Sequence, residues 1–367
     1  MKFLLTVFIL ISYSPLLFAQ TLVIEPDPAQ SSYTANTFTA GEGTITVTGS
    51  QFVLGSAQIA NPEAWSFSSS NQRASFLQRG NGINLTSYTA VGDVLVDQNL
   101  EFFSPSDNTI DTYQFDNGAI ILRDNVANFS FLNAKGETSY QVSNSSGSTE
   151  GEQESQLVSD PTGSTIVLYN PVIAYGSETG SRAQLVYGEQ DSEVFFNSRE
   201  DEIRNVRVSK NGEFISIVTA GSAGGMVYLY DRFGNELFQI TSDEDLIGAT
   251  LSENATHLTI YSSGRVQVYE VPSGQRLGSA SSRSSIVFAG YDPDAQTIIA
   301  LGGSRNGLRI EEPEITAVSI SQREIARDEI PFSISTLDLS RLDIITTGSN
   351  SYEISGLNRD LFVDVAF

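Results

Sequence analysis

The side chains able to do chemistry in this chain are few in kind. His257 is the only histidine, and there is no cysteine. Histidine-based zinc chemistry, which needs several nitrogen or sulfur ligands, is therefore excluded. Disulfides, thiolate metal sites, a cysteine nucleophile and a lipidated cysteine are excluded with it. A serine relay would have to use His257 as its base, with an acid to orient the ring, and Ser252 and Glu253 stand in the same local stretch. The simpler reading is a half-exposed histidine at the start of a strand beginning His257-Leu258, and that is the one taken.

Carboxylates are the abundant reactive group, with 44 Asp and Glu against 20 Lys and Arg and a formal net charge of −24. A glycosidase-like acid and base pair would be compatible with that composition. No motif fixes two carboxylates together, however, and the Ser-x-Asp-x-Gly-x-Thr-Trp box of sialidases does not occur. Asp243-Glu244-Asp245 with Gly248 is loosely like a calcium loop, but lacks the alternating oxygen ligands and closing glutamate of an EF-hand. Calcium stays a possible ligand there, and no other cofactor is expected.

What these residues can do depends on the elements that carry them. Between Val206 and Leu277 one pattern is written twice. The first copy runs through the turn Ser209-Lys210-Asn211-Gly212, the apolar run Phe214 to Val218, a glycine-rich gap at 221–225, and Met226 to Tyr230 before Asp231-Arg232-Phe233-Gly234. The second runs through Ser252-Glu253-Asn254-Ala255, Leu258 to Tyr261, Ser262-Ser263-Gly264 and Val266 to Tyr269 before Pro272-Ser273-Gly274. Both read as four short strands joined by turns, since Asn-Gly and Ser-Gly steps recur where a hairpin must reverse. The turn after each first strand can be followed at Asn71, Asn117, Thr162, Asn211, Asn254, Asp294 and Ser340, with a period in the forties. A four-stranded unit of that length cannot bury both faces alone and must stack on its neighbours. The expected fold is all-β, a propeller of four-stranded antiparallel blades, seven in number, or eight if the start of the chain forms one of its own.

The repeat resembles the WD40-like and quinoprotein-like propeller repeats of exported bacterial proteins, from Trp65 to the end. Val208-Ser209-Lys210-Asn211-Gly212, Tyr228-Leu229-Tyr230-Asp231 with Gly234, and Val268-Tyr269 with Ser273-Gly274 carry the likeness. No blade ends in Trp-Asp or opens with Gly-His, and the docking tryptophans of quinoprotein blades are missing, Trp65 being the only one. The resemblance therefore implies a fold and a habit of binding partners, with no enzyme family attached.

The propeller register sorts the loops. Links between blades and turns between second and third strands share one face. The links hold Glu150 to Glu154, Arg199-Glu200-Asp201-Glu202, Asp243-Glu244-Asp245 and Arg327-Asp328-Glu329, and the turns hold 80–82, 176–181, 221–225 and 302–307, all rich in glycine. The candidate binding residues are accordingly Glu200, Asp201, Glu202, Asp243, Glu244, Asp245, Asp328 and Glu329, suited to a cationic ligand, a divalent metal or a basic protein patch. The plainer alternative is that exposed loops simply collect Gly, Asp and Glu.

At the start, Lys2 followed by the apolar run Phe3 to Ile11 and the end Leu17-Phe18-Ala19 reads as a secretory signal peptide, residues 1–19. Residues 20–61 either close the propeller or form an extra blade, and residues 62–367 form the propeller proper. Strong negative charge repels phosphates and anionic lipid, so neither nucleic acid nor membrane insertion is expected. Only Lys2, Lys135 and Lys210 are lysines, and an acidic, lysine-poor surface also suits a salty medium. The expectation is an exported, monomeric scaffold, periplasmic or extracellular, that binds a protein or small-molecule ligand on its acidic face and performs no catalysis. The alternative is a propeller hydrolase or lyase acting on a carbohydrate or lactone, with carboxylates at the central channel. A quinone redox enzyme has little support, for want of tryptophans and of a haem-attachment motif.

Overall fold

The computed structural model describes residues 21–26, 36–40, 43–48, 50–80, 82–100, 110–124, 127–146, 154–188, 192–221, 224–307, 309–332, 334–336, 342–358 and 360–367. The expected signal peptide, 1–19, lies outside them. Every described element is a strand or a turn, and among the described residues no helix is long and apolar enough to cross a membrane.

Among the described residues the strands form eight antiparallel sheets, seven of four strands and one of four with a short fifth paired to it. In chain order, blade one spans 36–60, blade two 64–99, blade three 110–143, blade four 156–198, blade five 201–242, blade six 246–281 and blade seven 286–329. Blade eight takes 343–366 and adds Thr21–Pro26 at its far edge, paired with Leu361–Ala366. The start of the chain contributes strands to two sheets. One stretch covers the outer edge of the last sheet, which would otherwise offer unpaired N–H and C=O groups. Another, Asn36–Ala40 onward, builds a sheet of its own. Residues 27–35 join the two and lie outside the described set.

The repeated turn has one local cause. In blade five the Ser209 hydroxyl donates to Asn211 Oδ1 (2.7 Å) and accepts the Phe214 N–H (3.0 Å). In blade six Ser252 donates to Asn254 Oδ1 (2.9 Å) and accepts the His257 N–H (3.0 Å). Asp160 does the same work in blade four, accepting from the Thr162 and Thr165 N–H groups at 3.0 and 2.6 Å. Short polar side chains that bond their own backbone two to five residues on are what make such reversals.

Each sheet buries its faces against the next. Between blades five and six, Val218, Val227 and Leu229 meet Leu246, Leu258 and Ile260, all essentially sealed from solvent. Full burial of each such side chain contributes roughly 1.5–3 kcal/mol, so the stack is held chiefly by these interfaces. Second strands, such as Phe214–Gly221, are covered on both sides, whereas fourth strands such as Glu236–Ser242 are mostly exposed. Trp65 sits in the first interface, its ring centroid 5.1 Å from that of Phe52, so it acts as one member of an aromatic cluster between blades one and two.

Blade eight is displaced by one strand. The Val365 N–H bonds to Asn350 O (2.9 Å), as the Asn61 N–H bonds to Ser50 O (2.8 Å) at the end of blade one. Its three chain-terminal strands therefore match the second, third and fourth strands of other blades. The turn expected at Ser340 lies outside the described residues. Ile334–Ser335, leading toward the first-strand position, pairs instead with Arg309–Ile310 of blade seven.

Candidate functional site

The glycine-rich turns and the acidic links do meet on one face, and the reason is backbone clearance. In blade five the paired glycines Gly221 and Gly224 lie close against the links on either side of the sheet. A Cβ on Gly221 would stand 2.0 Å from Asp201 Oδ1, and one on Gly224 would stand 2.7 Å from Ser242 O. Gly224 also has φ +110°, where a side chain is strained. The same nesting recurs where a Cβ on Gly180 would reach Ser198 O at 2.2 Å, and one on Gly302 would reach Ser284 Oγ at 2.2 Å. Gly302 and Gly303 differ from expectation in one respect. They lie at a register shift within the long strand Thr297–Asn306, and the reversal itself falls between Asn306 and Arg309.

The carboxylates on this face divide into those tied down and those free to meet a partner. Asp201 Oδ2 accepts the Ser198 hydroxyl (3.0 Å), and Ser198 Oγ in turn accepts the N–H groups of Glu200 (3.2 Å) and Asp201 (3.0 Å). Glu202 Oε1 accepts from Thr179 Oγ1 (3.0 Å), with Arg204 Nη2 3.9 Å from its other oxygen. Glu244 accepts the Ser262 hydroxyl and faces Arg265 Nη1 at 3.5 Å. Glu200, Asp243 and Asp245 are exposed. Glu244 and Asp245, with Ser262, Ser263 and Arg265, line an open cleft of about 480 Å³. Asp328 and Glu329 end the outer strand of blade seven, both exposed, and Asp328 Oδ1 accepts the Glu329 N–H (3.0 Å). Among the described residues no three His, Asp or Glu side chains gather as a metal-ligand set.

Sequence reasoning missed one buried charge on this part of the molecule. Arg123, with its side chain 4% exposed, donates from Nη2 to Asp111 and to Glu154 Oε2 (2.9 Å) and from Nη1 to Ser155 O (2.7 Å). It clamps the link before blade four onto the inner strand of blade three. Burial pushes the Asp111 carboxyl above its usual range, partly offset by Arg123. Asp124 is raised by burial as well. The available signal was the alternation in Ile110–Gln114 beside the apolar run Ile120 to Leu122, whose antiparallel register pairs Asp111 with Arg123.

At the opposite end lie the turns between first and second strands. Lys210 Nζ of blade five is 2.8 Å from Asp343 Oδ2 of blade eight. His257 Nδ1 and Thr256 Oγ1 are 2.8 Å apart, the ring packs 5.1 Å from that of Tyr291, and burial pulls its pKa down. Ser252 is engaged in its turn, so no serine relay is assembled around His257.

No family model matches the chain, and no curated protein matches it. Solved structures do. The Dos1 propeller superposes with a TM-score of 0.54 at 10% identity, covering 94% of this chain and 95% of that one. Sqt1 from Saccharomyces cerevisiae gives 0.52 at 11% identity, covering 80% of each. BamB from Moraxella catarrhalis gives 0.51 at 14% identity, covering 94% of this chain and 99% of that one. The chain is a β-propeller. At these identities the likeness establishes the fold, and it agrees with the WD40-like and quinoprotein-like resemblance of the repeats. The blade links and glycine-rich turns lie at one end of the propeller, and the Lys210–Asp343 ion pair at the other.

Proposed function

We propose that this propeller is an exported, non-catalytic scaffold that binds a partner carrying a basic patch on the face formed by its acidic links and glycine-rich turns. The observation that carries the reading is the close approach of Gly221 and Gly224 to two links, which leaves Glu200 exposed on one side and Asp243 and Asp245 on the other. Glycine removes the side chains that would stand between a partner and these carboxylates, and interspersed Ser and Thr hydroxyls hold the link backbones in place. Rim carboxylates of this kind act mainly on association rate and partner choice. The propeller likeness supports a scaffold in general terms, because the fold is a platform that many functions share.

The test is capture from an extract of the native source by the immobilised chain at two salt concentrations. Charge reversal at Glu200, Asp243 and Asp245 should abolish capture, and the same partner should be retained by Arg232→Glu and Arg276→Glu, which alter the opposite face. Equal loss from both faces would defeat the assignment of binding to this one.

A further inference from the structure

Asn-Gly steps occur in the chain at Asn81, Asn117, Asn211 and Asn306, and Asn81 lies outside the described residues. In the other three the glycine supplies a positive φ, +91° at Gly118, +71° at Gly212 and +62° at Gly307. They differ in what holds them. Asn117 Oδ1 accepts the Ala119 N–H (2.8 Å), its Nδ2 donates to Thr162 O (2.9 Å), and the Gly118 N–H donates to Phe115 O (3.0 Å). Asn211 Oδ1 accepts the Ser209 hydroxyl (2.7 Å) and the Glu213 N–H (3.2 Å), and its Nδ2 donates to Glu213 Oε2 (3.0 Å). The Gly212 N–H donates to Ser209 O (2.8 Å). Asn306 and Gly307 stand instead at the reversal of the long hairpin of blade seven, both exposed, with Asn306 in register with Arg309. Among the described residues neither the Asn306 side-chain amide nor the Gly307 N–H has a hydrogen-bond partner. A Cβ on Gly307 would meet nothing within 4 Å.

An asparagine amide and the next backbone nitrogen are a reactive pair when both are free to move. The nitrogen gives up its proton and attacks Cγ, the Cγ–Nδ2 bond breaks, and Nδ2 leaves with that proton as ammonia. Water then opens the resulting succinimide at either carbonyl, leaving aspartate or isoaspartate. Glycine in the second position helps, since it has no side chain to crowd the nitrogen and its backbone turns freely. We propose that Asn306 is a site of spontaneous deamidation in the folded protein, while Asn117 and Asn211 are protected by the bonds of their turns. The product adds a carboxylate beside Arg305 and across from Arg309. In its isoaspartate form it also lengthens the backbone by one methylene, which breaks the register of 304–306 with 309–311 and loosens the hairpin tip.

The test is incubation of the full chain in mildly alkaline buffer, with samples taken over time for peptide mapping by mass spectrometry. A gain of one mass unit is expected in the peptide that holds Asn306. The peptides that hold Asn117 and Asn211 should convert about tenfold more slowly or less, because several hydrogen bonds must open locally before either can react. In guanidinium chloride, where no turn survives, the three sites should react at similar rates. Asn306→Gln should remove the early gain, since the longer side chain would have to close a larger ring. Equal rates at the three sites in the folded protein overturn the inference, as does an Asn306 that stays intact while the unfolded chain converts. A preference for Asn306 that persists in denaturant overturns it too, by placing the selectivity in the neighbouring sequence and not in the fold.

Discussion

Arg123 Nη2 lies 2.9 Å from Glu154 Oε2 and donates to Asp111 as well, so one guanidinium with a side chain 4% exposed fastens the link before blade four to the inner strand of blade three. Arg123→Met fills much of the same volume and removes all three bonds. It should cost about 1.5–3 kcal/mol, the scale of hydrogen bonds to charged groups, read as a lower urea midpoint. The value stays at that level because Glu154 is 50% exposed and can turn to water. A loss within experimental error would show that the clamp does no structural work.

Asp111 also gives a sign for pH. Its native carboxyl is raised above the ordinary aspartate value of 3.8, first by burial, against the pull of Arg123. The native state then holds the proton longer than the unfolded chain, so this group's contribution is present below the unfolded value and is lost as pH rises through the native one. Asp111→Asn cannot ionise. The stability difference between wild type and variant should therefore shift toward the variant as pH climbs through that interval, and a shift toward wild type would contradict the assignment.

Gly224→Ala should be damaging although it adds one carbon. The residue has φ +110°, and its Cβ would stand 2.7 Å from Ser242 O, a backbone atom that cannot swing aside. The expected loss is about 1–3 kcal/mol, the usual cost of holding a residue in a sparsely populated backbone region. Gly264→Ala, in the matching turn of blade six, would meet nothing within 4 Å and has no positive φ, and should be near neutral. Thermal melts of the two variants side by side decide the matter, and equal losses would refute the clearance argument.

His257 titrates alone in this chain, being the only histidine. Burial lowers its pKa below 6.5, with Glu270 pulling the other way. The native state therefore binds fewer protons than the unfolded chain between that lowered value and 6.5. Its contribution to stability is present above 6.5 and is lost as pH falls through the native value. A proton NMR titration of the ring should show a midpoint below 6.5, and His257→Gln should flatten the stability profile across the same window. A midpoint at or above 6.5 would remove the argument.

Ser209→Ala and Ser252→Ala test the repeat itself. Each strips a hydroxyl that accepts a strand N–H, of Phe214 or His257, at 3.0 Å. Leaving such a donor short of a partner costs about 1–3 kcal/mol. Similar losses at the two positions are expected from the shared geometry, and widely different ones would mean that the two turns are alike only in sequence.

The amino-acid sequence by itself determined the blade and its turns. Ser209 and Asn211, then Ser252 and Asn254, bond within a few residues of one another, and such short-range chemistry is written directly in local order. The alternation of Val227 and Leu229 with Tyr228 and Tyr230 likewise announced strands packed on both sides. The acidic links and glycine turns could be assigned to one face because the four-strand register alone dictates it. Tertiary structure decided the rest. The double use of the first sixty residues depends on an edge left open by a sheet at the far end of the chain, which no local pattern reveals. Arg123 looked like one arginine among many until the link at Glu154 and Ser155 was folded over it. Lys210 and Asp343 stand far apart in the chain and meet only when the blades bring their ends to one mouth. Contacts of that kind are set by closure of the stack, and closure is a property of all the blades together.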